Sequence, residues 1–342
     1  MNKVNLAIIG LGRIGKIHAE NIISSNQCNL KIIIDPVLEP DKNYTDLGIE
    51  QSKDFNDLLN INNIDGAVIC SPSNYHVNQI KDLSKNIKNI FCEKPLGLSV
   101  KEILDVKSII DKNNLNLHVG FNRRYDPDFA KLKLDIINNE IGDIHMIKIT
   151  SRDPAPPPIS YIKKSGGIFL DMTIHDFDMV KYLSGSEISE LYVKGGCFID
   201  PEIKKANDVD TAVINMTLKN GVLATINNSR KAVYGYDQRI EVLGSKGILK
   251  VPNRLLHNVE KGSKDGFTQS NPKNFFIDRY QESYKEEMMN FIKSIRGKTV
   301  DHANTDDGLH ALKAGLAANF SLKNNSPTMV SVSYTHLRAH ET

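Results

Sequence analysis

Val4-Asn5-Leu6-Ala7-Ile8-Ile9-Gly10-Leu11-Gly12-Arg13-Ile14-Gly15 decides the fold class of this chain. Val4–Ile9 is a near-continuous apolar run, as expected of a strand covered on both faces. It leads straight into G-x-G-x-x-G, and Ile14–Ile23 carries a helical pattern. Gly10 permits the tight turn. Gly12 lets a pyrophosphate approach the backbone, and Gly15 lets helix and strand pack closely. The helix start at Arg13 and Ile14 offers N–H groups and a partial positive charge to phosphate. Alone, the hexapeptide is a weak sign.

Its context strengthens it. A second apolar run, Leu30–Ile34, ends at Asp35, 20 residues after Gly15. A carboxylate there can accept both ribose hydroxyls of an adenosine and repels a 2′-phosphate. Pro36, Val37 and Leu38 follow, with no arginine to bind that phosphate. NAD rather than NADP is expected. The bland alternative for Asp35 is a turn residue before Pro36.

Further short apolar runs, Gly66–Cys70, Asn89–Cys92 and Asn116–Val119, alternate with helical patterns at Phe55–Leu59, Tyr75–Lys85 and Ser99–Asn113. Ser99-x-x-Glu102 is a capping box. This alternation predicts a doubly wound α/β domain with a parallel sheet. Ligands of such sheets bind beyond the carboxyl ends of the strands. Ser71, Pro72 and His76 follow one strand end, so they are candidate cofactor contacts; His76 also reads as an ordinary exposed helix residue. Glu93 and Lys94 close the next strand and belong to the same crevice, with Lys94 held extended by Pro95.

After about residue 121 the pattern changes. A helix at Asp128–Asn138 and a strand at His145–Ser151 precede a loop with Pro154, Pro156, Pro157 and Pro158. Ile168–Leu183 reads as one helix. Five β runs follow: Glu190–Phe198, Thr211–Leu218, Val222–Ser229, Arg239–Leu243 and Ile248–Val251, with Asn220-Gly221 as a hairpin signal. Phe275–Ile295 and Asp306–Leu322 read as closing helices. On one helix, Asp171 and His175 are i and i+4 and share a face, which Asp178 continues. A carboxylate beside an imidazole fixes its tautomer and stabilises its cation, as a dehydrogenase base requires. Asp171 as a cap, His175 as a core histidine, and the three as metal ligands are the alternatives; no metal is expected.

The chain has 342 residues, with 43 Lys plus Arg against 41 Asp plus Glu, a net charge of +2. That balance gives no footprint for nucleic acid or an anionic membrane. Cys28, Cys70, Cys92 and Cys197 show no paired spacing and read as reduced, buried thiols of a cytoplasmic protein. No run approaches the ~20 apolar residues needed to span a bilayer, and no signal peptide is evident. The organisation expected is 1–121 for the dinucleotide domain, 122–332 for the second domain and 333–342 as an atypical tail outside the fold, its His336 and His340 included.

Gly10–Gly15, Cys92-Glu93-Lys94-Pro95-Leu96, Gly120-Phe121-Asn122-Arg123-Arg124-Tyr125-Asp126 and Asp171-Met172-Thr173-Ile174-His175-Asp176 together resemble the Gfo/Idh/MocA oxidoreductases over about residues 3–330. Within that family, Ser151–Pro158 and Tyr234–Val242 are similar to the inositol 2-dehydrogenases. The resemblance implies an N-terminal Rossmann domain and a C-terminal α+β domain with a large, mainly antiparallel open sheet. It implies a catalytic Lys94, Asp171 and His175, a cis Lys94–Pro95 bond, and polyol contacts from Arg123, Asp153 and Tyr236. Lys94, Asp171 and His175 would also touch the substrate. The activity implied is NAD-dependent oxidation of a small neutral polyol, myo-inositol foremost, in a homo-oligomer, dimer or tetramer. A scyllo-inositol or aldose dehydrogenase is the alternative within the class. A non-catalytic NAD-binding regulator is the alternative outside it.

Overall fold

The computed structural model describes residues 2–330, so the tail at 333–342 lies outside the described residues. The chain divides into two compact units. The first runs to Tyr125 and also takes Glu282–Leu309; the second is Asp126–Gln281 with the chain from His310 onward. Division at a single point, 1–121 and 122–332, therefore differs from the observed one. The reason is in Met288, Phe291 and Ile292, which join Leu6, Ile8, Ala19, Ile22 and Phe91 in one buried apolar cluster. A late helix completes the cover of an early sheet, which local periodicity cannot show.

The first unit holds six parallel strands, β1 (Val4–Ile9), β2 (Cys28–Ile34), β3 (Glu50–Ser52), β4 (Gly66–Ile69), β5 (Asn89–Glu93) and β6 (Asn116–Gly120), in the order β3-β2-β1-β4-β5-β6. The doubly wound expectation holds. The order reverses between β1 and β4, which puts the ligand crevice beyond Ile9 and Ile69. Leu6, Ile8, Ala67, Val68, Ile90 and Phe91 are fully buried, so continuous apolar runs mark these strands correctly. Sequence missed β3 because its three residues are polar and partly exposed at the sheet edge. The capping box is present: Glu102 N–H donates to Ser99 Oγ, and Ser99 N–H to Glu102 Oε2. Such a cap stabilises its helix by about 1 kcal/mol.

The large sheet of the second unit has seven strands among the described residues: β7 (Ile144–Arg152), β8 (Ile188–Gly196), β9 (Thr211–Leu218), β10 (Leu223–Ser229), β11 (Asp237–Gly244), β12 (Gly247–Val251) and β15 (Thr328–Met329). Their order is β12-β11-β7-β10-β9-β8-β15, and a small hairpin, β13 (Lys261–Ser263) with β14 (Gly266–Thr268), stands apart from that sheet. All neighbours are antiparallel except β7 and β10. Asn220-Gly221 does turn β9 into β10, pairing Leu223 with Thr217. Residues alternate: Ala212, Ile214, Met216, Ala224 and Ile226 are buried, while Val213 and Leu223 are exposed on the other face. One face of this sheet is therefore core and the other open.

Ile168–Leu183 is not one helix. It is Ile168–Asp171 followed by Ile174–Ser184. Thr173 explains the break. Its N–H donates to the Ile168 carbonyl, and its single hydroxyl proton goes to Asn228 Oδ1 at 2.6 Å, with the Ile168 carbonyl as a longer, shared acceptor at 3.2 Å. A hydroxyl that takes a backbone acceptor competes with the helical ladder. Asp171 and His175 thus sit on successive helices across a turn, which corrects the single-face placement. Asp178, read as continuing that face, is 2% exposed.

Of the four thiols, Cys28 and Cys92 are buried and Cys70 and Cys197 are only half-buried; all four are free. Among the described residues no helix is long and apolar enough to cross a membrane.

Candidate active site

The dinucleotide turn is built by three glycines in three ways. Gly10 has φ +91, and a Cβ there would lie 2.6 Å from Ser71 N. The turn after β1 therefore packs backbone to backbone against the loop after β4. A Cβ on Gly15 would stand 2.0 Å from the Gly10 carbonyl oxygen, so only glycine lets the helix start so close. Gly12 is the N-cap of Arg13–Ile23, without a side-chain cap, and a Cβ there meets nothing within 4 Å. That open approach to a helix N-terminus is where a pyrophosphate fits. Arg13 is exposed and Ile14 half-buried at the first turn.

Asp35 stands at the end of β2, half-buried. Leu11 N–H donates to its Oδ2 at 2.7 Å and Val37 N–H to its Oδ1 at 3.0 Å. Each oxygen keeps a further acceptor position, so the carboxylate can still receive ribose hydroxyls. These residues fit NAD.

Pro72 caps the helix Ser73–Leu83, and Ser71 Oγ donates to Gln79 Oε1 at 2.6 Å. His76 is not an exposed helix residue: it is 1% exposed. Its Nδ1 faces the Pro95 carbonyl at 2.9 Å and its Nε2 the Ser71 carbonyl at 2.8 Å. Burial and the Lys94 charge push its pKa down, while both carbonyls and Glu93 oppose that; the net direction is below the ordinary value. Lys94 is half-buried, and the Lys94–Pro95 bond is cis, as the resemblance implies.

Glu93 is held differently from a simple crevice residue. Its Oε1 pairs with His18 Nε2 at 2.9 Å, and His18 is wholly buried between Phe91 and Tyr284. Glu287 joins them, the three ligand atoms lying within 4.8 Å of one another. This is the metal-competent grouping among the described residues, and it contains none of Asp171, His175 and Asp178. Sequence gives little sign of it: His18 reads as one more residue of a helix, and Glu287 is 194 positions from Glu93.

In the second unit, Asp171 accepts a hydrogen bond from Tyr161 Oη at 2.9 Å. Arg230 Nη1 lies 3.6 Å from its carboxylate, and Arg230 Nη2 lies 3.3 Å from Asp208. Asp208 Oδ1 accepts Ile168 N–H at 3.0 Å, and a Cβ on Gly167 would stand 2.9 Å from that oxygen. Gly167, at φ +79, thus lets Asp208 reach the chain just before Asp171. The turn before His175 is anchored by Asn228, whose Nδ2 donates to Asp176 Oδ2 at 2.8 Å. His175 is half-buried. Asp153 is pinned by its backbone, its N–H to Ser229 O and its carbonyl to Ala232 N–H. Tyr236 is 6% exposed and meets Tyr280 edge to face. In the first unit, Arg123 lies buried in the turn Asn122–Tyr125. Arg230 and Tyr161 escape sequence reading because nothing local ties them to Asp171.

Two family models match the chain: an oxidoreductase family with an NAD-binding Rossmann fold over residues 4–121, and a GFO/IDH/MocA C-terminal domain over residues 129–250. The myo-inositol 2-dehydrogenase of Thermotoga maritima is 44% identical over 322 residues, 94% of this chain and 96% of that one. The crystal structure of a probable dehydrogenase from Thermotoga maritima matches with TM-score 0.92 and 43% identity, covering 96% of this chain and 99% of that one. That of scyllo-inositol dehydrogenase from Lactobacillus casei, with bound NAD(H) and scyllo-inositol, matches with TM-score 0.89 and 31% identity, covering 96% and 99%. With the glycine turn, the Asp35 carboxylate and both domain models in agreement, this chain belongs to the GFO/IDH/MocA family of NAD-dependent oxidoreductases.

Proposed function

We propose that the protein oxidises myo-inositol to 2-keto-myo-inositol with NAD. The observation that carries this is the 44% identity, over nearly the whole chain, to a myo-inositol 2-dehydrogenase. NAD when bound supplies a hydride acceptor at nicotinamide C4. In this reading His175 takes the proton of the reacting hydroxyl as the carbinol carbon gives up hydride, leaving a ketone. Asp171 favours the resulting imidazolium, and Lys94 takes part in the proton path and orients the hydroxyl. Arg123, Asp153 and Tyr236 hold the remaining hydroxyls. A site that hydrogen-bonds each OH rejects analogues lacking one, because its own polar groups are left unpaired.

Lys94→Ala and His175→Ala test these roles. Proton transfer by a positioned side chain contributes about 10²–10⁴-fold, so turnover should fall by that order while NAD binding persists. Near-normal turnover in both variants removes the roles. A second reading, scyllo-inositol as the substrate, is favoured by the likeness to the scyllo-inositol complex. Comparing kcat/KM for the two isomers and glucose decides between them.

The reading includes a homo-oligomer. On the open face of the second sheet Met146, Val213, Leu223 and Leu243 are each at least 40% exposed. A patch of this kind marks an interaction surface. Leu223→Asp should lower the mass found by light scattering; an unchanged mass argues against this face. A cytoplasmic setting remains part of the proposal.

A further inference from the structure

His76 is wholly buried, yet it touches two segments that bear on the reaction. From the first turn of the helix Ser73–Leu83 one edge of its ring reaches the Ser71 carbonyl and the other edge the Pro95 carbonyl. Ser71 lies in the loop that presses on Gly10 of the dinucleotide turn. Pro95 is the residue that follows Lys94. One small ring therefore spans the backbone of the cofactor loop and the backbone that carries the lysine.

The chemistry of that span is unusual. Both partners are carbonyls and can only accept. A neutral imidazole has one N–H and one lone pair. The neutral ring, the form that burial favours, serves the two carbonyls in turn through its two tautomers, one N–H at a time, each within 3 Å of its acceptor. A core histidine kept for packing would not need two acceptors at hydrogen-bond distance. Nor can its nitrogens serve a ligand, since both are turned to the backbone.

We propose that His76 is a positioning residue whose two ring edges set the Ser71 loop for the cofactor and the Lys94–Pro95 segment for proton handling. The Ser71 edge governs how well the dinucleotide turn receives NAD. The Pro95 edge governs where the lysine side chain starts, and misplacement of a reacting group by about 1 Å costs on the order of 10²-fold. The Lys94 half of the proposal rests on the dehydrogenase reading above. The Ser71 half rests only on NAD binding.

Asparagine and glutamine separate the two edges. The Asn side-chain amide occupies the place of Nδ1, and the Gln amide that of Nε2. Each places an NH₂ donor toward one carbonyl and leaves the other unserved. The measurements are NAD affinity by titration calorimetry without polyol, and kcat with saturating NAD and myo-inositol. His76→Asn should keep the Pro95 contact and weaken NAD binding about tenfold more than His76→Gln does. His76→Gln should keep the Ser71 contact and lose about tenfold more kcat than His76→Asn does. His76→Phe, which fills the space with no donor, should show both losses.

A common decline of affinity and kcat in the Asn and Gln variants, or wild-type values in both, overturns the proposal. So does the reversed pattern. Calorimetry reads only folded protein, so a Phe variant that fails to fold leaves the Asn and Gln comparison intact. If the wild type forms no NADH with any polyol, the dehydrogenase reading fails, and the affinity comparison still decides the Ser71 contact.

Discussion

Arg230 holds Asp171 from inside the protein. Its guanidinium is 1% exposed and lies 3.6 Å from the Asp171 carboxylate, while its other arm reaches Asp208. Removing one partner of a buried ion pair leaves an uncompensated charge and costs about 3–5 kcal/mol. Arg230→Met should lower the urea unfolding free energy by that order and reduce turnover. Asp208→Asn added to Arg230→Met should recover part of the stability. A single variant as stable as the wild type would show that the guanidinium does not hold these carboxylates.

Gly12 and Gly15 should separate binding from folding. A methyl at Gly12 enters open space, so Gly12→Ala should melt like the wild type but bind NAD more weakly. A methyl at Gly15 meets the Gly10 carbonyl oxygen at 2.0 Å. Overpacking of this kind costs about 1–3 kcal/mol, so Gly15→Ala should lose both melting temperature and affinity. Equal melting losses in the two variants would contradict this division.

Asp35 should set cofactor choice. Its carboxylate can accept ribose hydroxyls and repels a 2′-phosphate. Asp35→Ser should weaken NAD by about tenfold or more, the worth of hydrogen bonds to a charged group, and raise the NADP to NAD affinity ratio. An unchanged ratio would leave Asp35 as a turn residue, held there by Leu11 and Val37 N–H.

His118 should give the protein an acid limb. It is buried against Ser294 Oγ and stacked on His302. Burial first, and His302 second, lower its pKa from 6.5 to about 2. The folded state keeps it neutral, while the unfolded chain takes a proton below about 6.5. The stability it contributes is full above that pH and is lost progressively as pH falls toward 2. At 1.36 kcal/mol per pKa unit, the loss between pH 7 and pH 5 should be about 2 kcal/mol. His118→Gln should shrink the fall in unfolding free energy over that interval by this amount. An identical pH profile in the variant would contradict the assignment.

The parts of this molecule that sequence could reach are those written in contiguous residues. Gly10–Gly15 with Asp35 specifies a turn, a helix start and a carboxylate within one βαβ unit, and the structure has all three. Asn220-Gly221 marks the place of the hairpin, but the loop has three residues, Lys219–Gly221, closed by Leu218 N–H to the Val222 carbonyl, with only Gly221 at positive φ. The Glu50–Ser52 strand carries no apolar signal. The parallel pairing of Ile144–Arg152 with Leu223–Ser229 joins segments separated by 70 residues or more. The break before Ile174 depends on Asn228 receiving the Thr173 hydroxyl, a partner that helical periodicity cannot foresee. Arg230, following a strand, has the look of a solvated charge until the fold buries it. His76 reads as a candidate cofactor contact or an exposed helix residue, because its actual partners are backbone carbonyls, which have no sequence signature.

Hydride transfer itself is most directly tested with myo-inositol deuterated at C2. The protein is incubated with NAD, and the NADH formed is examined by NMR for deuterium at nicotinamide C4, alongside the rate relative to unlabelled substrate. NADH carrying the deuterium at C4 is the expected product. NADH without the label, or no NADH from either this substrate or its scyllo isomer, would contradict hydride transfer.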